Sequence, residues 1–299
     1  MIKSELAGKY LELLKASLLN ELYAENEARI LLTFINRMSG APENFNDYLD
    51  IAVSKPELMH ALHDAKLDGH TITLLKKMPD GTKRPAHELR NLIELSHTMI
   101  GRKRLDNLQQ CMETVISENI AGDFIETGIW RGGACIFMRG VLAAHNVSDR
   151  TVWAADSFEG VPPPTWQQDA GFDISRDQFP VLAVPMETVQ ALFRRYGLLD
   201  DQVKFLKGWF KDSLPLAPIR KLAVLRLDGD LYESTMTALV PLFDKVAHGG
   251  FVIVDDYGSC PPCKQAIDDF RAERGITDAL QVIDRQSVYW RKSSGRVGG

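Results

Sequence analysis

Asp228-Gly229-Asp230 and Asp255-Asp256 hold the densest chemistry in this sequence. The first group closes the apolar run Leu222–Leu227, and the second closes Gly250–Val254. If the two runs are neighbouring strands, their ends lie about 5 Å apart. Four carboxylates meeting at one sheet edge repel one another unless a cation neutralises them. Hard oxygen ligands without Cys or His select Mg²⁺, which keeps waters that substrate oxygens can replace. The plainer alternative is four ordinary loop aspartates.

A second constellation is Gly122-Asp123-Phe124-Ile125-Glu126-Thr127-Gly128-Ile129-Trp130-Arg131-Gly132-Gly133-Ala134. It reads as a buried strand, a glycine-rich turn and the start of a helix that runs to Ala144. That helix points its N-terminus at whatever occupies the turn, the layout that holds nucleotide-like ligands in open α/β sheets. The spacing is not G-x-G-x-x-G, because Glu126 stands where the first glycine would be. A carboxylate there repels a pyrophosphate but suits a ligand with an ammonium group, such as S-adenosylmethionine. An ordinary βα turn is the alternative. Asp156 ends the next strand, where an acidic residue accepts both ribose hydroxyls of a nucleoside. Ser157 and Phe158 follow, placed for the edge and face of an adenine; a helix-cap role for Asp156 is the competing reading. Trp209, after Gly208 and another strand, suits either an adenine cover or a core position.

The elements that must position these residues alternate. Past Ile120, candidate strands are Asp123–Glu126, Thr151–Asp156, Val203–Lys207, Leu222–Asp228, Gly250–Asp255, Gln281–Asp284 and Val288–Arg291, with helical runs between most of them. That pattern predicts an α/β fold, a doubly wound, mostly parallel seven-stranded sheet whose last strand is antiparallel. Before it, Leu6, Tyr10, Leu13, Leu14, Leu18 and Leu22 recur at helical spacing, and a second periodic run covers Ala28–Met38. Short helices follow to residue 80, a turn at Met78–Thr82, and a helical stretch from Ala86 to Asn119 that includes Leu89, Leu92 and Ile93. His60, His63 and His70 have no acidic partners in sequence and read as solvated helix faces. The expected division is a helical region over 1–84, serving as an oligomer contact or a lid, and the α/β sheet domain over 85–299. The Leu6–Leu22 stripe is too apolar for an isolated helix and too far from the sheet in sequence to be needed by it, so it predicts a homo-oligomer. Segment Pro162–Pro185 reads as a mobile lid.

The composition narrows the class. The 299 residues carry a net charge of −5, with 25% charged and 45% hydrophobic residues, a globular profile that does not favour nucleic acid as a partner. No apolar run approaches the ~18 residues of a membrane span, and the N-terminus shows no signal-peptide core, so a cytoplasmic protein without a membrane partner is expected. Four cysteines make no disulfide framework, and Cys260-Pro-Pro-Cys263 lacks the second pair of a zinc site.

Five motifs occur in order and in register: Thr98–Leu108, Glu126–Ala134, Ala155–Gly160, Leu227–Thr235 and Val254–Gly258. Together they resemble the macrocin O-methyltransferase family, which includes mycinamicin and novobiocin sugar O-methyltransferases. The resemblance is close over about residues 85–285, and the first 80 residues are the departure. It implies S-adenosylmethionine- and Mg²⁺-dependent transfer of a methyl group to a sugar hydroxyl of a glycosylated natural product. It implies metal ligands at Asp228, Asp255 and Asp256, with Asp230 as general base. The cofactor-binding set it implies is Met99, Glu126, Thr127, Gly128, Trp130, Arg131, Gly133, Asp156, Ser157, Phe158, Gly208, Trp209 and Asp228. Two other readings stand beside it. One is a catechol-type O-methyltransferase on a small diphenol, which needs an aromatic slot. The other is a non-catalytic binding or assembly subunit, disfavoured by the four aspartates.

Overall fold

The structure is a computed structural model that describes residues 2–69, 72, 74–86 and 94–293. Its centre is a seven-stranded sheet. In chain order the strands are β3 Asp123–Thr127, β4 Val152–Asp156, β5 Val203–Lys207, β6 Leu222–Leu227, β7 Val246–Val254, β8 Gln281–Val282 and β9 Val288–Arg291. They lie in the order β5-β4-β3-β6-β7-β9-β8. All neighbours through β7 pair in parallel, and β9 runs antiparallel to both β7 and β8. The doubly wound sheet expected from the alternating pattern is therefore present. The order reverses between β3 and β6, so a crevice opens there at the carboxyl ends of the strands. β1 Leu75–Lys77 and β2 Lys83–Pro85 form a separate hairpin around the expected Met78–Thr82 turn. That hairpin was not foreseen, since its strands are short and exposed and bury no alternating face.

Helices cover both faces of the sheet. On one side are α1 Ile2–Leu18, α6 Gly101–Ser117, α7 Gly133–Ala144 and α8 Met186–Arg195. The other side carries α10 Tyr232–Leu242 and α11 Pro261–Glu273, with the short α9 Phe210–Ser213 beside them. A third apolar cluster joins α2 Ala24–Ser39, α4 Ile51–Ser54 and α5 Pro56–Asp68 with Leu74 and Ala86; α3 Phe45–Leu49 lies along its edge. Residues 94–100 are not helical, so the expected continuous helical stretch is broken before α6; its apolar positions Leu89, Leu92 and Ile93 lie outside the described residues, as does His70. His60 and His63 are exposed on α5, as expected. Among the described residues no helix is long and apolar enough to cross a membrane.

The stripe in α1 does not stand apart from the sheet domain. Leu11, Leu14, Leu18 and Leu19 are buried in the same core as Phe124 of β3 and Phe137 of α7. The contact is close because position 140 has no side chain: a Cβ there would sit 2.2 Å from Leu14 Cδ2. Only Leu6, Leu13 and Leu22 of the predicted stripe face outward. The sequence distance from the sheet was misleading, because helical periodicity shows that a face is apolar but not what covers it. Polar contacts tie the same helix down. The His97 amide donates to the Leu18 carbonyl at 2.7 Å, and His97 Nδ1 lies 2.8 Å from the Tyr196 hydroxyl, which also receives Ser17 Oγ.

Leu18→Ala should therefore destabilise the whole protein by about 2–5 kcal/mol, as a core truncation does. Denaturant unfolding followed on the sheet domain measures it; an unchanged midpoint would return α1 to the status of an appendage. A second expectation concerns pH. Burial, with Arg131 and Arg195 nearby, lowers the His97 pKa from 6.5 to about 4. Between those values the unfolded chain binds a proton that the folded chain does not, so stability falls as pH drops from 6.5 towards 4. In His97→Gln, the loss of Tm between pH 7 and pH 4.5 should be smaller than in the wild type.

Candidate active site

The loops after β3, β4 and β6 meet at the crevice. Gly128 follows β3 at φ 88°, and a Cβ there would lie 1.7 Å from the Asp228 carbonyl oxygen, so no other residue lets the two strand ends approach this closely. Trp130, Phe158 and Asp230, one in each loop, hold the left-handed conformation at φ 48°, 60° and 57°. Non-glycine residues held there are strained, and such strain concentrates at functional sites.

Between these loops lies a cavity of about 390 Å³. Of the predicted site residues, Met99, Gly128, Trp130, Asp156, Ser157, Trp209, Asp228 and Asp230 line it. Asp156 accepts the amides of Ile129 at 2.8 Å and Phe158 at 2.7 Å, so its carboxylate also holds two of the three loops in shape. Burial pushes its pKa up and these amides pull it back. The far wall comes from Gly160–Pro163, Thr165 and Leu182, with Lys211, Glu233 and Thr237 at its margin.

Other predicted contacts lie behind the cavity. Phe158 turns into the core, 6.2 Å from the Phe205 ring, because its left-handed backbone sends the side chain inward rather than over an adenine. Arg131 donates to the carbonyls of Glu94 and Ser96 and lies 4.2 Å over the Trp130 ring, so it anchors the non-helical approach to α6. Thr127 is buried with its hydroxyl 3.5 Å from the Arg226 carbonyl. Gly133 is a packing position: a Cβ would meet the His97 carbonyl oxygen at 2.4 Å. Gly208 donates its amide to the Asp156 carbonyl, bracing the β4 end. Glu126 is 2% exposed and faces a guanidinium rather than an ammonium-bearing ligand: Arg226 Nη1 donates to it at 2.5 Å, and Cys135 Sγ at 3.1 Å.

Beneath the cavity floor is an acidic centre. Asp228, Asp255 and Asp256 present carboxylate oxygens within 4.8 Å of one another, and Asp230, Asp256 and Cys260 form a second such group. Two buried arginines run through it. Arg226 Nη1 also donates to Asp228 at 2.7 Å, and Arg226 Nη2 to Asp255. Arg104 donates to Asp255 Oδ2 and to Asp284 Oδ2, both at 2.7 Å. Burial works against the Arg226 charge, but Asp255, Asp228 and Glu126 more than offset it and hold its pKa well above the ordinary value. Burial raises Glu126 to about 8, and burial with Asp255 raises Asp228 to about 6. Asp256 is raised well above the ordinary carboxylate range, by burial and then by Asp230, Asp228 and Asp255. It is 7% exposed, and its hydrogen bond is from the Asp230 amide at 3.3 Å rather than from an arginine.

Neither arginine was assigned a role from the sequence. Arg226 interrupts the run Leu225-Arg226-Leu227 in a strand buried at every position, and a charge in such a run was the signal that an interior anion needs it. Arg104 lies inside one of the five motifs. Cys260 and Cys263 sit at the start of α11, both buried, and burial beside Asp256 raises both thiols, which keeps them protonated.

Removing the Arg226 charge leaves Glu126, Asp228 and Asp255 buried without their shared partner. Arg226→Met should cost about 3–5 kcal/mol, the usual penalty for breaking one side of a buried pair. Chemical denaturation at pH 7 checks it, and a loss under 1 kcal/mol would mean the carboxylates are satisfied without it.

Comparison with known proteins adds to this geometry. A family model of macrocin-O-methyltransferase (TylF) matches residues 7–292, which brings the N-terminal helices inside the family rather than leaving them as a departure. The demethyldecarbamoylnovobiocin O-methyltransferase of Streptomyces niveus is 58% identical over 201 residues, 66% of this chain and 76% of that one. The mycinamicin III 3''-O-methyltransferase of Micromonospora griseorubida is 52% identical over 204 residues, 67% of this chain and 80% of its own length. The solved structure of the O-methyltransferase NovP superposes with a TM-score of 0.75 at 43% identity, covering 96% of this chain and all of that one. With a family match over nearly its whole length and relatives sharing more than half its aligned residues, this chain belongs to the macrocin O-methyltransferase family and is an O-methyltransferase.

Proposed function

We propose that this O-methyltransferase moves a methyl group from S-adenosylmethionine to a sugar hydroxyl of a glycosylated natural product, with Mg²⁺ at Asp228, Asp255 and Asp256. The observation that carries the metal reading is Asp256, a buried carboxylate among like charges whose hydrogen bond is from a backbone amide. Glu126, Asp228, Asp255 and Asp284 accept from Arg104 and Arg226, and Asp230 and Asp256 add two further carboxylates to the cluster, so the donor set fits a hard divalent cation. When bound, the cofactor supplies a sulfonium methyl and Mg²⁺ makes an acceptor hydroxyl more acidic.

The chain's own residues do the rest. Asp156 lines the cavity with both carboxylate oxygens anchored by amides, a fixed acceptor for ribose hydroxyls. Trp209 and Met99 give apolar walls beside it. Arg226 and Arg104 hold Asp228 and Asp255 in place from below. Asp230 faces the cavity and receives the proton of the attacking hydroxyl as general base. The segment from Val161 to Thr165 excludes water from that side. Holding the reacting groups in line is the main catalytic contribution, since a sulfonium leaves without a covalent enzyme intermediate. The proposed setting is the cytoplasm, with a homo-oligomer formed over the outward Leu6 and Leu13.

Transfer is assayed with demethyldecarbamoylnovobiocin, the acceptor in the name of the Streptomyces niveus relative, against Mg²⁺ and pH. Asp230→Asn should bind S-adenosylmethionine and Mg²⁺ normally while turnover drops roughly 10²–10⁴-fold, with no rescue by added Mg²⁺. Asp256→Asn should lose Mg²⁺ affinity and regain activity as Mg²⁺ is raised. Metal rescue of Asp230→Asn but not of Asp256→Asn would reverse the two roles, and full wild-type activity in EDTA would end the metal reading.

A further inference from the structure

The helix that follows Asp230 does not cap itself. α10 starts at Tyr232, and its N-cap position is Leu231, whose side chain accepts no hydrogen bond. The missing acceptor comes from earlier in the chain. Asp169 is 0% exposed and accepts the Tyr232 amide at 2.6 Å and the Glu233 amide at 3.1 Å. A carboxylate at these first amides also meets the positive end of the helix dipole. Two neighbours reinforce the dock: Thr165 Oγ1 donates to Glu233 Oε2 at 2.5 Å, and the Trp166 ring lies 5.9 Å from that of Tyr232. At its other end the same segment is held by Trp130, whose indole N–H donates to the Val181 carbonyl at 3.0 Å. The stretch expected to be a mobile lid is thus pinned at both ends, and it forms one wall of the cavity.

We propose that Asp169 is a positioning residue for methyl transfer, coupling the seating of this wall to the placement of Asp230. Asp230 stands two residues before Tyr232 in a left-handed turn, where the Leu231 amide donates to the Gly229 carbonyl at 2.6 Å. Such a turn persists only while the structure on either side of it is fixed. On one side it is fixed by β6, and on the other by the first turn of α10, which Asp169 holds. With the two amide bonds in place, the wall is closed and Asp230 is held toward the cavity; without them, both relax together. This inference rests on the reading of Asp230 as the base.

The test is amide hydrogen exchange on the full-length protein, with Asp169→Ala, Asp169→Asn and Thr165→Val compared. Asp169→Ala should speed exchange roughly tenfold or more at Tyr232, Glu233 and also Asp230, whose amide bonds to Asp256. Asp169→Asn keeps one acceptor oxygen and should fall between it and the wild type, while Thr165→Val leaves Asp230 unchanged. In the same transfer assay, Asp169→Ala should lower kcat roughly 10–10²-fold, with KM and S-adenosylmethionine affinity within twofold. Faster exchange confined to Tyr232 and Glu233, or an unchanged kcat, overturns the coupling. Full activity of Asp230→Asn would instead remove the base reading and leave the exchange result standing.

Discussion

A guanidinium buried in the middle of a parallel strand is the constraint on which this site depends. Arg226 is 1% exposed, and it touches Glu126 on β3, Asp228 at its own strand end and Asp255 after β7. Those carboxylates project from three adjacent strands. Without a shared cation they would push those strand ends apart or take up protons, and the crevice at the reversal point would lose its floor. Arg104 reaches the same centre from α6, so the helix that follows residues 94–100 is fixed to the floor as well. The geometry of the site is thereby set by charge pairing in the interior before any ligand arrives.

That arrangement also divides labour among the aspartates. Asp255 is already committed to two arginines and the Ser287 hydroxyl, which makes it a rigid strut. Asp256, its neighbour in sequence, brings its carboxylate within 4.8 Å of those of Asp255 and Asp228 but accepts from the Asp230 amide, and burial with the surrounding acids holds its pKa well above the ordinary range. Asp228 sits between, with 23% of its side chain open and one oxygen on Arg226. Three residues of one type thus have different work, decided by which of them an arginine reaches.

Much of this was legible in the sequence. The strand ends carrying Asp156, Asp228 and Asp255-Asp256 followed from apolar runs stopped by acids, and the structure gathers them at one edge as expected. What was illegible depended on partners distant in the chain. Nothing local distinguishes Glu126 facing a ligand from Glu126 facing Arg226, 100 residues later. Phe158 beside Asp156 was expected on an adenine, but a positive φ, invisible in a phenylalanine, turned it into the core. Segment 162–185 had the composition of a loose loop, and the one buried aspartate that pins it looks like any other in the sequence. Local chemistry predicted which residues gather at this sheet edge; side-chain direction required the tertiary contacts.

The seat of α1 on α7 has a bearing on how the chain is made. Leu14 meets its partner at Gly140, in a helix that itself rests on β3 and β4. A ribosome adding roughly 5–20 residues per second leaves the apolar face of α1 uncovered for on the order of ten seconds. During that time it is a sticky amphipathic helix on a nascent chain, the kind of surface that holdase chaperones bind. Closing it also requires a long loop before any of its contacts form, which places the docking of the first helix late in folding.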